Sequence, residues 1–190
     1  MNRLISAQIA GQTQTTLYTY NTRGLVTKII SPAGGKELSV YDANGNLISH
    51  TDANGNVTTY EHDPLGRLIR ANYYDGKVAT FAFDYAGRLT ELHDWTGTTQ
   101  FEHDILGRLT QVIDPMDNIT KNTWDERGNR TSVTVTNNSG PMPITATTTY
   151  TFDAANRMSS MSAAGLRGAS GYFWHIYPAY ALHTHIWVLR

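Results

Sequence analysis

Tyr41-Asp42-Ala43-Asn44-Gly45-Asn46-Leu47 decides the fold, because the chain repeats it. It returns as His62-Asp63-Pro64-Leu65-Gly66-Arg67-Leu68, as Phe83-Asp84-Tyr85-Ala86-Gly87-Arg88-Leu89 and as His103-Asp104-Ile105-Leu106-Gly107-Arg108-Leu109. Weaker copies are Tyr20-Asn21-Thr22-Arg23-Gly24-Leu25-Val26 and Trp124-Asp125-Glu126-Arg127-Gly128-Asn129-Arg130. The glycines at 24, 45, 66, 87, 107 and 128 are separated by steps of 21, 21, 21, 20 and 21 residues. So regular a period marks an array of structural repeats. A last copy, Phe152-Asp153-Ala154-Ala155-Asn156-Arg157-Met158, follows 28 residues on, with Asn156 in the glycine place.

Outward from the motif, each period holds a second turn signal near its middle: Gly34-Gly35, Asn54-Gly55-Asn56, Asp75-Gly76-Lys77, Thr96-Gly97 and Asp117-Asn118. The runs between are short, β-branched and aromatic, as in strands joined by hairpins. The position before each motif Asp holds Tyr41, His62, Phe83, His103, Trp124 and Phe152; two residues earlier stand Ser39, Tyr60, Phe81, Phe101, Asn122 and Tyr150. The residues between are mostly polar, so the runs have a period of two and one aromatic-rich face. The spacing predicts an all-β fold, a continuous antiparallel β-meander of about 21-residue repeats forming a curved strip.

Each motif position has a physical task. The Asp carboxylate can accept backbone N–H groups ahead of it in an Asx turn. The glycine can take positive φ without steric cost. The aromatic and the Leu anchor the flanking strands, and the Arg or Asn after glycine faces solvent or a neighbouring turn. One repeat cannot bury its apolar side alone, so stability comes from stacking. The residues that carry this scheme are Tyr41, Asp42, Gly45 and Leu47; Asp63, Gly66, Arg67 and Leu68; Asp84, Gly87, Arg88 and Leu89; Asp104, Gly107, Arg108 and Leu109; and Asp125 and Gly128.

The chain divides into an irregular lead-in (1–15), the repeats (16–160) with an insertion near 134–147, and a tail (161–190) without the repeat signature. The insertion includes Asn137-Asn138-Ser139-Gly140-Pro141-Met142-Pro143, an exposed loop by composition. The tail holds the aromatic run Tyr172-Phe173-Trp174-His175-Ile176-Tyr177. A net charge of -1 argues against a nucleic-acid face. The chain has no cysteine, so disulfides and thiolate metal sites are excluded. No apolar run approaches the roughly 18 residues of a membrane span. The first residues show no apolar signal-peptide core.

The motif resembles the RHS repeat, also called the YD repeat: a Tyr-Asp pair, two residues, Gly-Arg-Leu, and a second glycine about ten residues on. Tyr41 through Leu47 with Gly55, and Asp63 through Leu68 with Gly76, carry the likeness, which extends over residues 16–160. The resemblance implies a long β-strip that spirals into a hollow shell, which in bacterial toxins encloses a C-terminal toxic domain. It implies as partners the remainder of such a shell or an encapsulated toxin polypeptide. Localisation is then secreted or cell-surface in the full-length context, and cytoplasmic for this stretch alone. The family's shell-closing Asp-Pro-x-Gly-Leu core motif is absent, and Ala163-Ala164-Gly165-Leu166-Arg167-Gly168 keeps only a Gly-Leu. Self-cleavage is therefore not carried over. Six or seven repeats are fewer than a closed shell needs, so the chain reads as a fragment, a truncated gene product or a segment of a longer chain.

Other chemistries find less support. The Asp-x-Asn-Gly-Asn units at 42–46 and 52–56 have glycine fourth, where a calcium loop needs it sixth with an acidic residue twelfth. His62-Asp63 and His103-Asp104 suggest a base with its orienting carboxylate, but aromatics fill that column in sister repeats. His183 and His185 lack an identifiable third metal ligand. No nucleophile elbow, P-loop or dinucleotide fingerprint is present. The expectation is a non-enzymatic chain that needs no cofactor. Its first reading is a structural shell segment. The alternative is a cell-surface carbohydrate-binding module with Tyr73, Tyr74 and Trp95 as contacts, since flat rings suit sugar faces.

Overall fold

The computed structural model describes residues 5–8 and 15–164; residues 165–190 of the tail, with its aromatic run and with His175, His183 and His185, lie outside the described residues. Fifteen strands follow in chain order: β1 Ser6–Gln8, β2 Thr15–Tyr20, β3 Val26–Ile30, β4 Lys36–Tyr41, β5 Leu47–Thr51, β6 Val57–His62, β7 Leu68–Asn72, β8 Val78–Phe83, β9 Leu89–Asp94, β10 Gly97–His103, β11 Leu109–Ile113, β12 Ile119–Trp124, β13 Arg130–Asn137, β14 Ile144–Phe152 and β15 Met158–Ala164. They form one sheet in unbroken sequence order, every neighbouring pair antiparallel, and it does not close on itself. Among the described residues there is no helix. Part of the lead-in, Ser6–Gln8, forms a strand. Ser6–Gln8 pairs with Thr15–Leu17, because any β-compatible segment next to a free strand edge can satisfy that edge's hydrogen bonds.

The repeat maps onto two strands and two turns. The motif turns join β2 to β3, β4 to β5 and so on, and therefore line one edge of the strip. The mid-repeat turns line the opposite edge. Most turns on both edges share one geometry. In the 42–46 turn the Asp42 N–H donates to the Asn46 carbonyl at 2.9 Å, and the Gly45 N–H donates to the Asp42 carbonyl at 3.1 Å. The fourth residue sits in the left-handed region, at φ 96 for Gly45 and φ 79 for Gly66. Asn156 and Asp117 hold the same place at φ 59 and φ 60, and these residue types reach that region more easily than others because a short polar side chain can bond locally.

The 20-residue step has a local cause. Between Gly87 and Gly107 the mid-repeat turn is a tight hairpin in which Asp94 pairs directly with Gly97, so it is one residue shorter than its neighbours. The 28-residue step comes from a lengthened hairpin. β13 and β14 stay paired out to Asn137 and Ile144, and only residues 138–143 are loop.

A β-bulge recurs in every repeat and no sequence pattern announced it. Tyr41 pairs with Leu47, but Val40 pairs with Ser49, so Ile48 is the extra residue. The same slip follows Leu68, Leu89, Leu109, Arg130 and Met158, and also Val26. The extra residues are Thr27, Ile48, Ile69, Thr90, Thr110, Thr131 and Ser159. Four of them use a hydroxyl to bond the facing strand or its side chains, as Thr110 does to the Glu102 carbonyl. A bulge bends its strand and raises the local twist. Placed once per repeat on the same edge, it adds the same bend each time.

The sheet is a single layer with little core of its own. Among the described residues, Ala71, Ala79 and Val112 are the buried apolar ones, and Ala71 faces Ala79 across β7 and β8. The aromatic-rich face alternates as the pattern predicts: in β6, Thr58, Tyr60 and His62 are half-buried while Val57, Thr59 and Glu61 are exposed.

Candidate functional site

The motif edge is the most ordered chemical feature of the strip. In the 63–67 turn, Asp63 Oδ1 accepts the N–H of Leu65 at 2.9 Å and of Arg67 at 3.0 Å. Its Oδ2 accepts Nε of Arg67 at 2.6 Å. Asp84 and Asp104 hold Arg88 and Arg108 in the same way, each Nε–Oδ2 contact being 2.6 Å. Where the chain has Asn instead of Arg, the amide replaces the guanidinium, as Asn46 Nδ2 does to Asp42 Oδ2 at 2.9 Å and Asn129 Nδ2 to Asp125 Oδ2 at 2.9 Å. The backbone N–H of Arg67 leads in holding the Asp63 carboxyl below its usual range, and for Asp42 the Asn46 amide leads. Hydrogen bonds to a carboxylate favour its charged form.

The arginines do more than face a neighbouring turn, because they fasten it. Arg88 Nη1 donates to the Asp104 carbonyl and Arg108 Nη1 to the Asp125 carbonyl, both at 2.6 Å. Arg67 Nη1 reaches the Asp84 carbonyl at 3.4 Å, and Arg127 Nη1 reaches that of Ala154 at 3.2 Å. Arg23 donates to the carbonyls of Ala43 and Asn44. The same side chains lie on the next repeat's aromatic ring: Arg67 is 4.9 Å from the Phe83 centroid and Arg108 is 5.8 Å from that of Trp124. Rings reach backward in turn. The Tyr41 hydroxyl donates to the Val26 carbonyl at 2.9 Å and Trp124 Nε1 to the Leu109 carbonyl at 3.0 Å. Within each repeat the aromatic faces the Leu across the hairpin, as Tyr41 does Leu47, Phe83 does Leu89 and His103 does Leu109. Tyr41, Asp42, Gly45 and Leu47 with their equivalents, through Asp125 and Gly128, thus line one edge, and from the 63–67 turn to the 124–128 turn an arginine bonds each turn to the next. Arg130, in a Leu position, sits 5.6 Å from the Tyr150 ring.

The other candidates fare differently. Tyr73 and Trp95 meet edge to face with centroids 5.5 Å apart, and the Lys77 ammonium lies 5.1 Å above the Trp95 ring. Lys77 is paired with Asp75 at 2.7 Å. Tyr74 stands away from this cluster, 66% exposed. The carboxylates of Asp63 and Asp104 are spent on their own turns, so neither orients the neighbouring histidine, and His62 Nδ1 is buried without a hydrogen-bond partner. The oxygens of Asp42 and Asp52 are likewise engaged by local N–H groups, which is the plain turn rather than a calcium loop.

Comparison with known proteins agrees with this repeat architecture. Residues 41–73 and 62–99 match the family model of the RHS repeat. No curated protein matches the chain. Among solved structures, the chain is similar to TcdB2-TccC3-Cdc42, with a TM-score of 0.67 and 15% identity over 82% of this chain and 9% of that one. It is similar to TcdB2-TccC3 without the hypervariable C-terminal region, with a TM-score of 0.69 and 16% identity over 82% of this chain and 9% of that one. It is also similar to the Photorhabdus luminescens Tc holotoxin pore, with a TM-score of 0.65 and 14% identity over 80% and 9% of the two chains. At such identities the likeness is one of fold. The chain spans about a tenth of the length of the structures it matches.

Proposed function

This chain is an RHS-repeat protein, and we propose that it serves as a structural length of an RHS shell that encloses or presents a toxin or effector polypeptide, without catalysis of its own. The observation that carries the reading is the ladder along the motif edge. Arg67, Arg88 and Arg108 each clasp their own turn and the next, so the unit of construction is the contact between repeats. A single-layer sheet with three buried apolar residues among those described is built as wall, with little interior for a site. The once-per-repeat bulge supplies the steady bend that a wall around a cargo requires. Delivery to a cell surface or to a competing bacterium belongs to the same reading. The aromatic cluster favours packing over sugar binding, because one face of Trp95 is covered by Lys77 and the edge-to-face contact uses Tyr73.

The test is a graft. Residues 15–164 replace an equal number of repeats in the wall of an RHS shell whose enclosed polypeptide resists protease. Continued protection is the expected result. A soluble hybrid whose cargo is digested at the rate of free cargo would overturn the proposal.

A further inference from the structure

An asparagine followed by glycine loses its side-chain amide more readily than other asparagines, because a glycine nitrogen with no Cβ beside it reaches the asparagine Cγ unobstructed. The chain holds two such pairs, Asn44-Gly45 and Asn54-Gly55. Sequence makes them equals, since both stand in Asp-Ala-Asn-Gly-Asn. Their internal bonds match as well. The Gly45 N–H donates to the Asp42 carbonyl at 3.1 Å, and the Gly55 N–H donates to the Asp52 carbonyl at 3.0 Å. Both asparagines are exposed. The surroundings differ. Arg23 bonds the carbonyls of Ala43 and Asn44, so the 42–46 turn is pinned to the turn before it. Gly45 is half-buried, and a Cβ there would lie 3.5 Å from Leu25 Cδ1 and 3.7 Å from Arg23 Nη2. Among the described residues no side chain clasps the 52–56 turn in this way. Gly55 is exposed, and a Cβ there would meet nothing within 4 Å. The contact of this turn with the preceding one on its edge is apolar, Ala53 Cβ lying 3.1 Å from where a Cβ of Gly35 would be.

We propose that Asn54 is a covalent modification site, at which the folded chain loses its side-chain amide through a cyclic imide while Asn44 is protected. The Gly55 nitrogen attacks Asn54 Cγ. The Cγ–N bond forms, the Cγ–Nδ2 bond breaks, and ammonia leaves with the proton that the glycine nitrogen gives up. Water then opens the imide at either carbonyl and yields an aspartyl or an isoaspartyl residue. Closure first requires the Gly55–Asp52 hydrogen bond to open, and local opening costs least where a segment has few contacts with its neighbours. Arg23 withholds that opening from Asn44. The related Asp75-Gly76 pair is a poor substrate for the same closure, because Lys77 pairs with the Asp75 carboxylate at 2.7 Å and a carboxylate ion resists attack. Both products add a negative charge beside Asp52, and the isoaspartyl one also inserts a methylene into the main chain of the turn. The altered turn is then a substrate for an isoaspartate methyltransferase, which esterifies the displaced carboxylate from S-adenosylmethionine.

The experiment incubates the full chain at neutral pH and body temperature. Peptide mass spectrometry follows amide loss at each asparagine, and labelling by an isoaspartate methyltransferase reports the isoaspartyl product. Amide loss at Asn54 should run several times faster than at Asn44. In strong urea the two rates should converge, because the residues around the two sites are the same. Arg23→Ala in the folded chain should raise the Asn44 rate to that of Asn54 and leave Asn54 as it was, which also shows that the fold is kept. Asn54→Gln should remove most of the isoaspartate label. The ratio of the two rates in the parent chain decides the proposal without any variant. Equal rates in the folded parent, a faster Asn44, or no loss at Asn54 over a period in which the urea-treated chain converts overturns it. An Arg23→Ala chain in which Asn44 stays slow overturns the protective role of Arg23 and the proposal with it.

Discussion

Arg88 Nη1 donates to the main-chain carbonyl of Asp104 at 2.6 Å, while its Nε holds Asp84 at 2.6 Å. One planar guanidinium thus bridges its own turn and the next, whose accepting carbonyl lies 16 residues on in the chain. A lysine ammonium cannot serve both partners from that position. Arg88→Lys should therefore cost about 1.5–3 kcal/mol, the range for a hydrogen bond to a charged group. Arg157 makes the clasp to Asp153 with a side chain 80% exposed, so Arg157→Lys should cost little. Urea melts of the two variants check this, and equal losses would contradict the bridging role.

Turn conformation and turn space can be separated at two glycines. A Cβ on Gly128 would meet nothing within 4 Å, whereas one on Gly66 would lie 3.0 Å from Asn46 Oδ1. Both glycines have positive φ, 87 and 79 respectively. Gly128→Asn should be nearly neutral, because Asn156 already occupies the equivalent place. Gly128→Val should cost about 1–2 kcal/mol from the left-handed backbone alone, and Gly66→Val should cost more. Thermal melts that rank the three otherwise would refute the shared turn geometry.

Stability should fall in acid, and the sign follows from the turns. The Asp63, Asp84 and Asp104 carboxyls are depressed, led in each case by the backbone N–H of the following Arg. A depressed folded value means that the stabilisation is present above the unfolded aspartate pKa of about 3.9. It is lost as pH falls through the lower folded values. Denaturant midpoints should be flat from about pH 7 to pH 5 and drop below about pH 4. Asp63→Asn with Asp84→Asn should flatten the acid limb. An unchanged midpoint at about pH 2 would dismiss the carboxylates as stabilisers.

Packing rather than ligand recognition accounts for Trp95. Its contacts with Tyr73 and Lys77 predict that Trp95→Ala loses about 1 kcal/mol, within the range for an aromatic pair. Tyr74→Ala, at a 66% exposed tip, should change stability far less. Glycan-array binding that disappears in Trp95→Ala while the melt is unchanged would reverse this assignment.

The motif dictated the local architecture. An Asx turn and a left-handed fourth residue depend on a handful of consecutive residues, so Asp42 and Gly45, repeated through Asp125 and Gly128, located every turn of one edge from composition alone. Alternation likewise placed Tyr60 and His62 on the half-buried face. Asn156 in the glycine place was legible for the same local reason.

What joins one repeat to the next was decided only in three dimensions. The bulge at Ile48 and its equivalents is a property of how two strands align, and Ile, Thr and Ser occupy it alike, so it leaves no residue signature. The second bonds of Arg88 and Arg108 reach carbonyls, which every residue carries, so the sequence shows a donor without its acceptor. The short 20-residue step looked like a spacing irregularity until Asp94 was seen to pair directly with Gly97. The Tyr73–Trp95 contact joins two mid-repeat turns that only the sheet brings side by side. Turn chemistry is settled by neighbours in the chain. The bend, the clasp between repeats and the use of each ring are settled by neighbours in the sheet.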